Sequence, residues 1–400
     1  MSLELSRKAL SVKPSSTLTI TAKANELRAA GEDVVGFAAG EPDFPTPAHI
    51  CEAAKKAIDD GFTKYTPASG TAELKKAISE KFKRVNGISY APSQIIISNG
   101  GKHSLTNTFE ALLNYGDEVI IPAPYWLSYP EIVKLAGGVP VIIRAEKGAS
   151  YKVTAEQIEA ACTEKTKALV LNSPNNPTGM IYTKEELQAI AEVAIRKNFY
   201  VVSDEIYENL YYMDGKNASI ASLGEEIYNR TITVNGLAKS YAMTGWRIGY
   251  LGAPADIAKC ISSIQSHQTS NPNSIAQKAA LAAIEGDQQC VDDMNKAFDE
   301  RRQYMYKRVC DTPHISCLEP KGAFYVFVDM SEIIGMKYKG REITCAADMA
   351  EILIADYCVA IVPCADFGFA DHFRMSYAIS VEKIKKGMDR IEQFISALED

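Results

Sequence analysis

The stretch TVNGLAKSYAMTGWRIGY, Thr233 to Tyr250, decides how the rest of this chain is read. A run rich in β-branched residues, 230–234, stops at Asn235-Gly236, and Lys239 follows three residues later. Arg247 lies eight residues beyond Lys239, after Met243-Thr244-Gly245, where a glycine lets backbone come close to a ligand. A lysine just past a strand end, with an arginine returning to the same place, suits a phosphorylated carbonyl cofactor. The amine forms a Schiff base, and the guanidinium holds phosphate through paired hydrogen bonds. The plain alternative is a surface lysine on a loop. What decides between them is whether the other strand ends converge on the same chemistry.

Working outward, strands are expected at 94–98, 117–121, 139–143, 167–172, 199–203, 230–234 and 248–251. Helices fill the gaps at 102–114, 126–136, 154–161 and 183–197. Near-continuous apolar strands such as Ala168-Leu169-Val170-Leu171, alternating with helices, mean a mostly parallel sheet buried on both faces. In such sheets ligands gather beyond the carboxyl ends of the strands. Before this region, helices are expected at 16–30, 48–59 and 71–86, each closed by a glycine. Between them lie a short strand at 34–37 and two loops, Gly40-Glu41-Pro42-Asp43 onward and Lys64-Tyr65-Thr66-Pro67-Ala68-Ser69-Gly70. After Pro254 the pattern turns helical (255–265, 273–285, 287–310). It then alternates again, with strands at 323–328, 359–362 and 373–377 and helices at 346–357 and 381–397. Neither the 323–328 strand nor the 331–342 segment offers a side chain read as part of a site.

At 400 residues the chain exceeds the roughly 250–300 at which one core stops growing. Three parts are expected. They are an arm with part of a small domain (1–45), a large domain (46–295) and a small α+β domain (296–400). A hydrophobic content of 46% with 23% charged residues is that of an ordinary globular protein. The net charge of −7 and the absence of a basic block argue against nucleic acid. No apolar run is long enough for a bilayer and no signal-peptide core is evident, so no membrane partner is expected. Nine scattered cysteines without a Cys-x-x-Cys pair, and five histidines in no ligand pattern, give neither a disulfide framework nor a metal site. A reducing cytoplasmic setting is expected.

Each strand end delivers a distinctive group. Ser98-Asn99-Gly100-Gly101-Lys102 opens a helix with two glycines, a place where backbone N–H groups and the helix dipole favour phosphate. Pro122-Ala123-Pro124-Tyr125-Trp126 carries an indole that either fills core or walls a flat heterocycle. In Ser173-Pro174-Asn175-Asn176-Pro177-Thr178-Gly179 two prolines stiffen the mount of Asn176. Ser203-Asp204-Glu205-Ile206-Tyr207 puts a carboxylate at a strand tip, where it caps a helix or pairs with a protonated ring nitrogen. Phe373-Arg374-Met375 buries an arginine in an apolar strand, to be met by a structural acid or a substrate carboxylate.

The ordered set SPNNPTG (173–179), SDEIY (203–207), NGLAKS (235–240), MTGWRIGY (243–250) and FRMSY (373–377) resembles the class I aminotransferases. These are fold-type-I enzymes dependent on pyridoxal 5′-phosphate (PLP), and the bacterial and plant-type aspartate branch is the nearest. The match runs from Gly40 to Tyr377. It implies a three-layer α/β fold with a mostly parallel central sheet plus a smaller α+β domain. It further implies that Lys239 holds PLP and moves the Cα proton, that Asp204 bonds the pyridine nitrogen, and that Tyr207 and Asn176 bond the ring hydroxyl oxygen. Arg247, with the backbone of Gly101 and Lys102, would hold the phosphate, and Trp126 would lie against the ring. Tyr65 would reach the phosphate of a neighbouring subunit, making a homodimer part of the site. Arg374 would grip the substrate α-carboxylate, with Gly40 nearby. The animal-type enzymes use a partner arginine for the distal carboxylate, but Ser266-His267-Gln268-Thr269 contains none. Lys102 is the expected replacement, with Ser15, Ser16 and Thr17 adding hydroxyls. The expected reaction is L-aspartate with 2-oxoglutarate. An aromatic, prephenate or kynurenine aminotransferase, or a C–S lyase, is the alternative on the same fold.

Overall fold

The structure is a computed structural model that describes residues 4–215 and 217–399. The first strand, β1 (Val35–Gly36), stands apart from the large sheet. That sheet comprises β2 (Ile95–Ser98), β3 (Glu118–Ala123), β4 (Val139–Arg144), β5 (Thr166–Asn172), β6 (Tyr200–Asp204), β7 (Thr231–Gly236) and β8 (Gly249–Gly252). Their order is β2-β8-β7-β6-β5-β3-β4, and β8 alone runs antiparallel to its neighbours. All seven lie within two residues of the positions expected from sequence.

Side-chain alternation along these strands makes the three layers. Val119, Ile121, Val170, Val202 and Ile232 point to one face and pack with Leu105, Phe109 and Ile257 from the helices Gly101–Leu112 and Ala255–Gln268. Ile120, Leu169, Leu171 and Val201 point to the other and meet Leu187 and Ile190 of the helix Lys184–Lys197. That helix begins at a capping box in which Thr183 Oγ1 accepts from Glu186 N–H and the Glu186 carboxylate accepts from Thr183 N–H. Burial on both faces is why these strands read as unbroken apolar runs.

The second unit is a four-stranded antiparallel sheet. Its strands are β9 (Ser316–Cys317), β10 (Tyr325–Asp329), β14 (Val362–Pro363) and β15 (His372–Ser376), in the order β14-β15-β10-β9. A hairpin of β11 (Lys337–Tyr338) and β12 (Arg341–Glu342) lies beside it. β13 (Val359–Ala360) pairs with β1 in parallel, joining the start of the chain to its end. Val35 and Phe37 share a core cluster with Phe298, Phe324, Met375 and Phe394.

Two expectations differ from the structure. The strand expected at 359–362 is divided, because β13 pairs with β1 while β14 turns to pair with β15. The helix expected over 71–86 is an α-helix at Ala72–Lys81 followed by one wider π turn, Phe82–Asn86. The wider turn sets Lys81 and Asn86 on one buried ion cluster with Glu205 and Glu208. β9 and the 337–342 hairpin, not expected from sequence, are two-residue pairings, too short to leave a periodic signal. Among the described residues no helix is long and apolar enough to cross a membrane.

Candidate functional site

The carboxyl ends of β5, β6 and β7 open on one cavity of about 440 Å³, and strands β10 and β15 close its opposite side through Tyr325 and Arg374. Asp204 ends β6. Its Oδ2 accepts from the Tyr129 hydroxyl at 2.7 Å and its Oδ1 from the Ile206 N–H at 3.2 Å. Burial pushes its carboxyl up to about 6, against the pull of those two bonds and the Lys239 charge. The next residues alternate in direction. Asp204 and Tyr207 line the cavity. Glu205 and Glu208 enter a buried network in which Glu208 pairs with Lys81, and Glu205 accepts from Ser203, Ser219 and Asn86. The turn carrying both cavity groups is thus fastened from behind.

Lys239 sits in the turn after β7, reaching into the cavity, with its amine donating to the Gly40 carbonyl. Loss of water around the amine holds it down to about 8. Glu41 and Asp204 oppose that shift, while Arg374 and Arg247 add to it. An amine so tuned is a nucleophile and a base near neutral pH.

Beside it the Ser98-Asn99-Gly100 turn starts the helix Gly101–Leu112. Gly100 has φ +90°, and a Cβ there would lie 2.3 Å from Arg247 Nη2. A Cβ on Gly249 would lie 2.3 Å from the Gly101 nitrogen. Glycine at both positions therefore lets Arg247 and β8 close over the helix start. Arg247 itself has φ +55° and donates to Thr244 O at 3.0 Å and Asn99 O at 3.4 Å. Both acceptors are neutral carbonyls, so its positive charge stays available to an anion.

Arg374 is 2% exposed. It donates to Asn176 Oδ1 at 2.9 Å and to Ala38 O at 3.2 Å, and among the described residues its Nε has no partner. The Tyr325 ring lies 4.3 Å from its guanidinium carbon. Among the described residues no carboxylate pairs with Arg374, so the structural salt bridge left open by the sequence is not there. A buried guanidinium that lines a cavity without an acid partner is a receptor for a carboxylate.

A model of the family Aminotransferase class I and II matches residues 32–391. The chain belongs to this family. An aspartate aminotransferase of Geobacillus stearothermophilus is 47% identical over 99% of this chain and 100% of its own length. An aspartate/prephenate aminotransferase of Cereibacter sphaeroides is 47% identical over 97% of each chain. Two solved structures also superpose on the chain. The aspartate aminotransferase from Rhizobium meliloti has a TM-score of 0.96 at 39% identity and covers 100% of both chains. The Thermus thermophilus aspartate aminotransferase with maleate has a TM-score of 0.92 at 42% identity, covering 98% of this chain and 100% of that one. Class I and II aminotransferases are PLP-dependent.

In this aminotransferase the cavity gathers Lys239, Asp204, Tyr207, Asn176, Gly101, Lys102, Trp126, Arg247, Gly40 and Arg374 from distant parts of the sequence. Lys102 Nζ lies 4.8 Å over the Trp126 ring. Burial, then the Arg247 charge, lowers the pKa of Lys102. Ser15 and Thr17 line the cavity as well, whereas Ser16, expected with them, does not. Tyr65 is not part of it. It is 92% exposed, on a loop outside the cavity of its own chain.

Two tyrosines escape the sequence reading. Tyr325, on a strand expected to hold no site residue, bonds the Tyr207 hydroxyl at 2.9 Å and packs on Arg374. Tyr129 holds Asp204. Tyr325 sits within an apolar run whose pattern is that of core and Tyr129 within an expected helix, and only the fold brings their hydroxyls to a phenol and a carboxylate.

Proposed function

We propose that this chain catalyses PLP-dependent transamination between L-aspartate and 2-oxoglutarate, giving oxaloacetate and L-glutamate. The observation that carries this reading is the buried, acid-free Arg374 facing the Lys239 amine and the Asp204 carboxylate across one cavity. The residues present fit PLP. An amine enclosed by protein suits its aldehyde, a carboxyl at a strand tip its ring nitrogen, and a glycine-opened helix start with Arg247 its phosphate. The acid-free Arg374 guanidinium is left for the substrate.

When bound, PLP supplies an electron sink for the carbanion left when an amino acid loses its Cα proton. Lys239 would hold the cofactor, and its amine would take that proton and return it. Held within the cavity, its amine acts at a far higher effective concentration than a free base. Asp204, fixed by Tyr129, would keep the ring nitrogen charged. Tyr207, held by Tyr325, and Asn176 would hold the ring hydroxyl, and Trp126 would pack against the ring. Arg374 binds the α-carboxylate with Gly40 beside it. Lys102, with Ser15 and Thr17, receives the distal carboxylate. A homodimer in which Tyr65 serves the neighbouring phosphate site completes the reading, supported by the exposure of that ring. The division at residues 45 and 295 belongs to the same proposal, supported by the pairing of β1 with β13. We assign the enzyme to the cytoplasm on its nine free cysteines.

The test is the absorbance change of the holoenzyme on adding one amino acid without an oxo acid. Aspartate and glutamate convert the cofactor band at far lower concentration than tyrosine or phenylalanine. Equal response to all four would overturn the dicarboxylate assignment. A second reading, prephenate as the oxo acid, is favoured by the name of the Cereibacter sphaeroides relative. Amino transfer from aspartate to prephenate at a rate comparable to 2-oxoglutarate would establish it.

A further inference from the structure

Tyr65 stands out at 92% exposure, yet the loop that carries it is bonded along its length. Phe62 O accepts from Ser274 Oγ at 2.9 Å, and Ser69 O from the Ile97 N–H at 3.0 Å. Lys75 Nζ donates to Ser69 Oγ at 3.1 Å. Two buried glutamines do the rest. Gln277, 1% exposed, donates to Thr66 Oγ1 at 3.0 Å and Pro272 O at 2.9 Å, and accepts from the Thr71 N–H at 2.9 Å. Gln265, 0% exposed, donates to Ala68 O at 2.6 Å and Ile97 O at 2.7 Å. Its oxygen accepts from Ser98 Oγ at 3.1 Å and Asn107 Nδ2 at 2.9 Å.

Each amide therefore ties the loop to fixed parts of the large unit. Gln265 reaches β2 and the helix Gly101–Leu112, which is the helix that opens the proposed phosphate site. Ordering a loop residue costs on the order of 1–2 kcal/mol of conformational entropy. Burial of the aromatic at its tip offsets none of that here, because the ring lies in solvent. A loop fixed at every flank but the aromatic presents that aromatic to something outside its own chain.

We propose that Gln277 and Gln265 are positioning residues, which hold the 62–71 loop so that Tyr65 reaches the phosphate site of a second copy of this chain. This rests on the role proposed above for Tyr65. Neither glutamine lines the cavity, so any effect on the cofactor must pass through what they hold.

The experiment measures PLP dissociation from the purified dimer by absorbance, in a double-mutant cycle. Tyr65→Phe weakens PLP about ten-fold, the loss of one charge-assisted hydrogen bond. Gln277→Leu weakens it about five-fold when Tyr65 is present and less than two-fold on the Tyr65→Phe background. Thr66→Val removes only the hydroxyl that Gln277 holds. It gives the same pattern at about two-fold, and it decides the matter should the glutamine variant fail to fold. Equal weakening in both backgrounds overturns the inference, since the glutamines then act on general stability. No change on Tyr65→Phe alone overturns the reading of Tyr65 and the inference with it, so the two failures are told apart.

Discussion

At the scale of single residues, the account rests on how burial tunes two opposite groups. Lys239 is held down to about 8 and Asp204 pushed up to about 6, each mainly by loss of water. For the lysine the reactive form is the neutral amine. Capture of PLP by the cofactor-free protein is therefore expected to rise about ten-fold per pH unit below about 8 and level off above it. Stopped-flow absorbance across pH 6 to 10 measures this, and a rate still climbing at pH 10 would mean the amine is not tuned. Arg374 makes the second case. Replacing it with alanine removes two charge-assisted bonds to the α-carboxylate and is expected to lower kcat/KM on the order of 10³-fold for every amino acid tried. Arg374→Lys restores little, because an ammonium lacks the planar fork. Loss confined to one amino acid would contradict the assignment of this arginine to the carboxylate that all substrates share.

At the scale of elements, the turn after β6 shows how the fold holds its chemistry. Glu208 and Lys81 pair at 4% and 7% side-chain exposure, with Asn86 bridging to Glu205. Burial pushes Glu205 up to about 7. Lys81→Met leaves a buried carboxylate unpaired and is expected to cost about 3–5 kcal/mol, whereas Lys81→Met with Glu208→Leu recovers most of it. Chemical denaturation of the three proteins reads this directly, and equal loss in the single and double variants would deny the pairing. The strand ends themselves were legible in advance. Apolar runs bounded by glycine and proline marked all seven strands of the large sheet, Asp204 and Lys239 followed from their position at or just past such runs, and Arg247 from its return eight residues beyond Lys239. What was not legible is instructive in its kind. Tyr325 lies inside a run that reads as core and Tyr129 between a serine and a proline, and their roles arise from pairings made across more than seventy residues. The π turn that aligns Lys81 with Asn86 has no period of its own. Local pattern reports which face is buried, not which buried hydroxyl meets which acid.

At the scale of the whole molecule, the cavity exists only because the chain returns on itself. β15 brings Arg374 to Asn176 of the loop after β5, and β1 joins β13. One group of the proposed site remains outside, since Tyr65 lies in solvent. If it serves a second copy, then a mixed dimer of Lys239→Ala and Tyr65→Phe chains contains one intact site. Its affinity for PLP is expected to match the native enzyme at half the stoichiometry, measured on dimers refolded together and separated by two tags. Weak binding like that of Tyr65→Phe alone would place Tyr65 outside the neighbour's site.

Every role assigned here depends on Lys239 being the side chain that holds the cofactor. Borohydride reduction of the PLP-loaded protein, followed by mass mapping of the tagged peptide, tests that most directly. The account predicts a single pyridoxyl label on Lys239, within the 233–250 segment. A label on Lys102 or any other lysine, or no label at all, would contradict it.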